Sequence, residues 1–367
     1  MSTSLKFPLY AKFTLVLIGV FVFIYTLYIG KQIILPIIYA TITAIILNPL
    51  VNYLVKKRMN RIVAISLAVV LAILFTMALL LFVSAQITMF TETYPALEKK
   101  FNEKSLQVTQ WASTNFSLKV KDIDQWVATT KQDAIAKMGS TIGQTLWAIN
   151  NVLILILLLP VYLFMILYYK NLLIEFIRKL FNNTHHTAVF DVLSNSKKII
   201  QSYLFALVLE ACIVAVLNSA GLLLLGVKYA IILGITGALL NIIPYIGGVI
   251  AIILPMIIAF VTKDNSTSAI LVLILYLFIQ FIDNNIIIPH IVASKVKINA
   301  LISLIAVIVA GALWGVPGMF LSIPITAILK VIFDHVEPLK PWGYLLGNIV
   351  PTTKLQFAIR KRKAEKE

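Results

Sequence analysis

The residues most able to do chemistry are acids and amides that interrupt strongly apolar sequence. Glu210 lies 11 residues into the run Ile199–Gly226, near its middle, and Asn218 follows two helical turns later. The polar stretch Asp283-Asn284-Asn285 follows another apolar run and precedes Pro289, which predicts the entrance of a loop or a capped helix end. A charged side chain at a bilayer centre costs about 3 kcal/mol on insertion scales, so we expect Glu210 to be protonated or paired. Such acids mark ion or proton pathways; the alternative is a neutral acid that hydrogen-bonds between helices.

Two apolar runs are too long for a single straight crossing. Tyr229–Val261 and Leu301–Phe333 each correspond to about 50 Å of helix, against about 30 Å of hydrocarbon. The interruptions near their middles contain Asn241, Pro244, Tyr245, Gly247 and Gly248 in the first run, and Gly315, Pro317 and Gly318 in the second. Paired interruptions of this kind point to a transporter site, because open backbone in a bilayer must line a cavity or be buried in protein. The alternative is two kinked helices whose small residues allow close packing.

The composition places these residues in a membrane protein. Of the 367 residues, 60% are hydrophobic and only 13% are charged, whereas soluble proteins have about 25% charged residues. The same figures exclude a disordered chain, a collagen and a disulfide scaffold, and Cys212 has no cysteine partner in the chain. We therefore predict an all-α polytopic membrane protein with about six to eight transmembrane helices.

The predicted spans divide the chain into four parts. The spans are Phe13–Ile29, Ile33–Leu54, Ile62–Ala85, Trp147–Tyr169, Ile199–Gly226 and the short Ala269–Ile282, with broken helices at 229–261 and 301–333. Between the third and fourth spans, charges of both signs alternate with apolar residues at helical spacing, which predicts a small helical extramembrane insert. The predicted parts are three helices in 1–87, an extracytoplasmic insert in 88–146, a transporter core in 147–350 and a basic cytoplasmic tail in 351–367.

The broken helices allow two topologies. If each crosses the membrane once, there are eight spans; if each turns back as a re-entrant hairpin, there are six crossings. Both models put the termini on one side together with about two thirds of the Lys and Arg residues. Basic residues concentrate on the cytoplasmic side, so both termini are predicted to be cytoplasmic, and the charge distribution does not choose between the models.

Several chemistries find no support in the sequence. There is no phosphate-binding G-x-x-x-x-G-K-[ST] loop, no G-x-S-x-G elbow and no H-E-x-x-H motif. The adjacent His185 and His186 have no acidic or cysteine partner at metal spacing. We expect no catalytic residues, no metal, no cofactor and no ATP motor. The basic tail is predicted to lie near anionic headgroups rather than on nucleic acid, because it lacks interleaved aromatic residues.

The same interruptions carry a family resemblance. Asn241–Gly248, the polar stretch 283–285 with Pro289, Gly311–Gly318, and Ile323-Pro324 followed by Lys330 resemble the autoinducer-2 exporter family of permeases. The resemblance covers about 201–333, whereas the first half matches only in layout, and Glu210 is not part of it. It implies a secondary transporter of the bacterial cytoplasmic (inner) membrane. Some members are associated with export of a small quorum-sensing sugar derivative, others with exchange of sodium or lithium for protons.

Three functions follow as hypotheses. The first is export of a small polar solute resembling autoinducer-2, because asparagine side chains and open backbone suit an uncharged hydroxylated molecule. The second is Na⁺(Li⁺)/H⁺ antiport using Glu210 and Asp283. The third is a non-transporting membrane scaffold that works through its insert. The expected partners are the solute or a monovalent cation and proton, the lipid bilayer and, in a homo-oligomer, further copies of the chain.

Overall fold

The computed structural model describes residues 8–116, 158–181, 186–243, 247–263 and 267–348, which are almost entirely helical. The helices are α1 Leu9–Ile29, α2 Lys31–Lys56, α3 Arg61–Phe116, α4 Leu158–Tyr168, α5 Lys170–Lys179, α6 His186–Leu224, α7 Ala230–Asn241, α8 Gly247–Thr262, α9 Thr267–Ile282, the π-helix Asp283–Ala293, α10 Ser294–Val296, α11 Ala300–His335, the 3₁₀ turn Glu337–Leu339 and α12 Lys340–Leu346. In this part of the chain, six helices are long and apolar enough to cross a membrane. The predicted all-α polytopic membrane fold is confirmed.

Helices α2, α3 and α4 share one apolar cluster. Small residues such as Ala40, Ala64 and Ala68 let α2 and α3 approach closely, and Leu163 of α4 completes their apolar cluster. The α3 helix has 56 residues, about 84 Å, so it extends well beyond the bilayer on one side. The predicted boundary between residues 87 and 88 lies within α3, and residues 117–157, which include the rest of the predicted insert, lie outside the described residues.

The first broken run folds back on itself as a helical hairpin, hairpin 1, made of α7 and α8. Gly226 precedes α7 and Lys263 follows α8, and a Cβ atom built on Gly226 would lie 3.0 Å from the Lys263 Nζ. At the opposite end, Gly247 packs directly against the backbone of Leu240. The two ends of hairpin 1 therefore lie together, and its tip, where the Gly247 N–H donates to the Ile243 carbonyl, lies at the other end of α7 and α8.

The second broken run, α11, is also a hairpin, named hairpin 2. Gly315 has φ 67° and ψ −149°, a backbone conformation essentially restricted to glycine, and it reverses the helix. Asn299, at the start of α11, donates from Nδ2 to the Leu345 carbonyl of α12, while Gly343 of α12 packs against Asp334 near the end of α11. A straight helix of 36 residues would hold its ends about 52 Å apart. The seven-residue α12 is only about 10 Å long, so it can contact both ends of α11 only if α11 folds back on itself.

The two hairpins begin on opposite sides of the membrane. The Lys100 Nζ on the extension of α3 donates to the carbonyls of Val261 and Lys263, so the base of hairpin 1 lies on the side of that extension. Between the hairpins, Thr267–Val296 forms a 30-residue span that carries the chain to the other side, where hairpin 2 begins. This arrangement corresponds to the six-crossing alternative.

One sequence expectation about this region is wrong. The predicted short span ending at Ile282 and followed by a polar loop is instead one helix, because a π-helix continues it through Ala293. Pro289 has no N–H and would clash with the preceding turn of an α-helix, and the wider π turn accommodates it. The polar residues do not break the helix, since Asn285 Nδ2 donates to the Phe281 carbonyl of its own helix.

Candidate functional site

The α6 helix turns two polar side chains into the protein. Glu210 and Asn218 are eight residues apart and share the helix face that buries Tyr203, Leu207 and Val214. Glu210 is only 5% exposed and Asn218 only 2% exposed. The carboxyl group and the amide therefore face the neighbouring helices of the protein rather than the lipid.

The tip of hairpin 1 connects Glu210 to a second carboxyl group. Asn241, the last residue of α7, donates from Nδ2 to Asp283 Oδ2 at 2.7 Å, and the same nitrogen lies 3.4 Å from Glu210 Oε1. Asp283, the first residue of the π-helix, is 1% exposed. One amide nitrogen thus lies within hydrogen-bonding distance of two buried carboxyl groups that are 73 residues apart in the sequence.

A glutamine and a glycine complete this arrangement. Gln280 Nε2 lies 3.5 Å from Asp283 Oδ2 and 3.5 Å from the Asn284 side-chain oxygen. A Cβ atom built on Gly248 would lie 2.3 Å from Gln280 Oε1 and 3.1 Å from Asn241 Oδ1, so glycine lets α8 approach these amides without displacing them. We name the set Glu210, Asn241, Gly248, Gln280 and Asp283 the tip site.

A second polar position lies deeper between α6, α7 and α9. Asn218 Nδ2 lies 3.5 Å from the Gly234 carbonyl, and a Cβ atom on Gly237 would lie 3.1 Å from both Asn218 Nδ2 and the Tyr276 hydroxyl. Among the described residues, Asn218 Oδ1, the Tyr276 hydroxyl and Asp283 Oδ1 are buried without a hydrogen-bond partner. Buried polar groups are nearly always hydrogen-bonded, so these atoms are free to hold a polar ligand or water.

The other predicted residues near hairpin 1 have varied surroundings. Asn284 is exposed, and its side-chain oxygen lies 3.5 Å from Gln280 Nε2 of the tip site, whereas Asn285 bonds within its own helix. Pro289 is exposed. Gly247 packs against the Leu240 backbone at the turn of hairpin 1. The predicted residues Pro244 and Tyr245 lie outside the described residues.

The tip of hairpin 2 holds the remaining predicted residues, which are Gly315, Pro317 and Gly318. It is attached to the first helices: Trp314 Nε1 donates to the Leu27 carbonyl at 3.0 Å, and the Tyr39 hydroxyl donates to the Pro317 carbonyl at 3.1 Å. Ile242, from the tip of hairpin 1, packs against the same apolar cluster as Trp314. The two tips therefore adjoin one cluster, but the carboxyl groups lie at hairpin 1.

Sequence reasoning missed Gln280 and Tyr276. Both lie in α9 on the face that leads to Asp283, at spacings of three and seven residues from it. Polar side chains at helical spacing within an otherwise apolar span were the available signal. In the part of the chain that the structure describes, no three His, Cys, Asp or Glu residues lie together as a metal site. Two carboxyl groups and two amides suit hydroxyl groups, a proton or a monovalent cation.

Comparison with known proteins agrees with this architecture. The model of the family described as "AI-2E family transporter" matches residues 16–337. The "AI-2 transport protein TqsA" of Escherichia coli (strain K12) is 27% identical over 321 residues, covering 87% of this chain and 91% of the relative. The "Putative transport protein YueF" of Bacillus subtilis (strain 168) is 25% identical over 314 residues, covering 82% and 83%. The matches span both hairpins and the helices before them.

Proposed function

We propose, because the chain belongs to the AI-2E transporter family, that this multi-pass membrane transporter exports a small polar solute resembling autoinducer-2 without using ATP. The observation that carries the proposal is the tip site, where Asn241, Gln280 and Asp283 converge at a re-entrant helix tip. The relative from Escherichia coli is named as an AI-2 transport protein, which supports this solute class.

The side chains of the tip site match an uncharged hydroxylated molecule. Carboxylate oxygens accept hydrogen bonds from hydroxyl groups, and the amide groups of Asn241 and Gln280 both donate and accept. Asp283 Oδ1 is buried and has no hydrogen-bond partner among the described residues, so a solute hydroxyl group would gain a bond there without displacing one of theirs. A bond to a charged acceptor of this kind contributes about 1.5–3 kcal/mol.

The hairpins suggest how access alternates. They begin on opposite sides of the membrane and bring their tips to one apolar cluster, so movement of either hairpin would open the tip site to one side. The loop before α3, with Lys56, Lys57 and Arg58, lies on the side where hairpin 2 begins. By the positive-inside rule, we assign this side and both termini to the cytoplasm of a bacterial inner membrane.

Uptake of autoinducer-2 into everted membrane vesicles tests the proposal. Vesicles containing the wild-type chain should accumulate autoinducer-2, and Asn241→Ala should reduce uptake at least tenfold because both carboxyl groups lose their shared donor. Asn285→Ala is the matched control, since its side chain bonds only within its own helix. Equal uptake by Asn241→Ala and the wild type, at equal protein content, would place the solute elsewhere.

A second candidate, Na⁺(Li⁺)/H⁺ antiport, is favoured by one specific observation. Glu210 and Asp283 share the Asn241 donor in a buried site. Two carboxyl groups so close together disfavour the doubly charged state, so a proton or a monovalent cation would stabilise them. The same pair could couple solute export to proton entry, in which case the two activities share a site.

Proteoliposomes with an imposed pH gradient and a pH-reporting dye separate these candidates. If sodium or lithium collapses the gradient in the wild type but not in Glu210→Gln, the antiport candidate gains support. Asp191→Asn, an exposed acid on the same helix, is the control for loss of one charge. If only autoinducer-2 collapses the gradient, proton-coupled solute export is supported. A folded protein that responds to neither would overturn antiport and proton-coupled export, whereas export itself is tested by the uptake into vesicles.

A further inference from the structure

A basic pocket lies far from the tip site, on the side of the membrane where hairpin 2 begins. We define it by Asn48 of α2, Arg61 of α3, Lys170 of α5 and Lys197 of α6. Lys170 Nζ donates to Asn48 Oδ1 at 3.0 Å, and Arg61 Nη2 donates to the carbonyls of Leu167 and Tyr168 just before Lys170. Burial, and then the charges of Lys197 and Arg61, lower the pKa of Lys170. Four helices thus contribute three cations and one buried amide, and Lys170 bonds the amide.

Among the described residues, no carboxylate is paired with these three cations. Arg61 Nη2 donates to the carbonyls of Leu167 and Tyr168 at the end of α4, and Lys170 bonds the neutral Asn48. Three ion pairs between described residues, Arg178–Glu175, Lys330–Asp334 and Lys340–Glu337, include no member of the pocket. Neighbouring like charges repel one another, and an anion bound between them would offset that repulsion.

The helix that carries Lys170 has the character of a membrane-surface helix. It bends by 66° from α4 and buries none of its residues within the protein. Its apolar side chains, including Leu172 and Phe176, are exposed, and its last turn carries Arg178 and Lys179. A short amphipathic helix of this kind lies in the interface plane, with its apolar face in the acyl chains and its cations at headgroup level.

We infer that the basic pocket binds the phosphate headgroup of an anionic phospholipid, held by Lys170, Lys197 and Arg61 while α5 lies along the bilayer surface. Basic pockets between transmembrane helices are a recognised headgroup-binding feature. The depth fits as well, because Asn48 is 6% exposed and lies eight residues, about 12 Å, before the end of α2. The Lys170 ammonium group, bonded to Asn48, therefore lies nearer the glycerol level of the bilayer than the ammonium group of a free surface lysine.

This inference is independent of the proposed function. It names a ligand site on the opposite end of α6 from the tip site, and it requires no particular transported solute. A bound headgroup would offset the repulsion among the three cations and fix the angle between α4 and α5. Its loss is therefore expected to lower the thermal stability of the protein.

The test uses purified, delipidated full-length protein in neutral detergent, titrated with phosphatidylglycerol and with phosphatidylcholine while bound lipid is counted by native mass spectrometry. The wild type should prefer phosphatidylglycerol. The double variant Lys170→Gln/Lys197→Gln should bind it roughly 30-fold more weakly, since each surface lysine contributes about 1 kcal/mol. Lys170→Arg/Lys197→Arg should retain binding, which shows that charge rather than packing is responsible.

The matched control is Lys295→Gln/Lys340→Gln, which removes two charges from the same side of the membrane but outside the pocket. The pocket is supported if this control binds like the wild type. An equal loss in the control, equal binding of both lipids by the wild type, or full displacement of phosphatidylglycerol by millimolar inorganic phosphate would overturn the inference. The last result would identify a site for a free anion instead of a lipid.

Discussion

Hairpin 1 and hairpin 2 are both interrupted a few residues after Gly-Ala-Leu, yet their tips lie in different surroundings. The tip of hairpin 1 ends at Asn241, which bridges two buried carboxyl groups. The tip of hairpin 2 turns at a single glycine and is attached to α1 and α2 through the Trp314 indole and the Pro317 carbonyl. The first tip has side chains that can bind a solute, whereas the second is held by bonds to backbone carbonyls.

The glycines of the two Gly-Ala-Leu motifs show the same contrast. Gly237 makes room for Asn218 and the Tyr276 hydroxyl from neighbouring helices. Gly311 makes room for Met319 from the other half of its own hairpin. The same three-residue motif therefore packs against polar side chains of other helices in hairpin 1 and against the other half of the same hairpin in hairpin 2. Similar interruptions do not imply equal roles in transport.

The largest expected effect concerns the topology common to both hairpins, and it is all or none. In a Cys212→Ala background, Lys263→Cys should react with a membrane-impermeant maleimide from the same side as Lys99→Cys. Lys295→Cys should react only from the other side, because the 30-residue span lies between them. Protection of position 263 on the side that labels position 99 would contradict a re-entrant hairpin 1 and restore the eight-span alternative.

The next largest expected effect is a loss of folding stability, which should be about equal at the tips of hairpin 1 and hairpin 2. A Cβ atom would lie 1.8 Å from the Leu240 carbonyl oxygen at Gly247 and 2.0 Å from the Ala310 carbonyl oxygen at Gly318. Because backbone cannot move aside cheaply, we expect Gly247→Ala and Gly318→Ala each to destabilise the protein by about 3 kcal/mol or more. Thermal unfolding in detergent measures this loss.

Gly19→Ala on α1 is the control for that comparison. A Cβ atom there meets nothing within 4 Å, and alanine is favoured over glycine in a helix by about 1 kcal/mol. Its unfolding temperature should stay the same or rise. If Gly247→Ala or Gly318→Ala behaves like this control, the corresponding tight turn is not present in the folded protein.

Much of this architecture could be predicted from sequence because it depends on local composition. Apolar runs of span length determine the membrane fold, and the two interruptions near Asn241 and Gly315 mark where helices cannot continue. Glu210 and Asp283 could also be identified as candidate site residues from the sequence, because burying an acidic side chain in an apolar run costs free energy wherever the run packs. These inferences need no knowledge of tertiary contacts.

The rest depends on packing that the sequence does not specify. The stretch from Asp283 to Pro289 has the composition of a helix end, and only the neighbouring helices make a π-helix the better solution. Whether a broken run crosses or returns changes the charge balance by very few lysines, so the hairpins could not be chosen. The meeting of Glu210 with Asn241 likewise requires α6 and α7 to pack in one register.

A third experiment tests whether the difference between the hairpins is functional. In Gly248→Ala the new methyl group would push the Gln280 side chain out of the tip site, and in Gly311→Ala it would displace Met319. Both neighbours are flexible side chains, so each substitution should cost only about 1–3 kcal/mol of stability. Autoinducer-2 uptake should fall about tenfold in Gly248→Ala because a hydrogen-bonding amide is displaced, and should be unchanged in Gly311→Ala. Equal losses in the two variants would mean that both tips contribute to binding.

The smallest effect concerns the attachment of hairpin 2. Trp314→Phe removes the indole donor to the Leu27 carbonyl while keeping an aromatic side chain. Hydrogen bonds between membrane helices contribute about 0.6 kcal/mol on average and at most about 1.7 kcal/mol, so the unfolding temperature should fall only slightly. Trp342→Phe, at an exposed tryptophan of α12, controls for the change of residue type. If hairpin 2 only supports the site, the KM for autoinducer-2 stays the same in Trp314→Phe. A raised KM with unchanged stability would show instead that the tip of hairpin 2 positions the solute, because loss of a purely structural bond cannot alter affinity without weakening the fold.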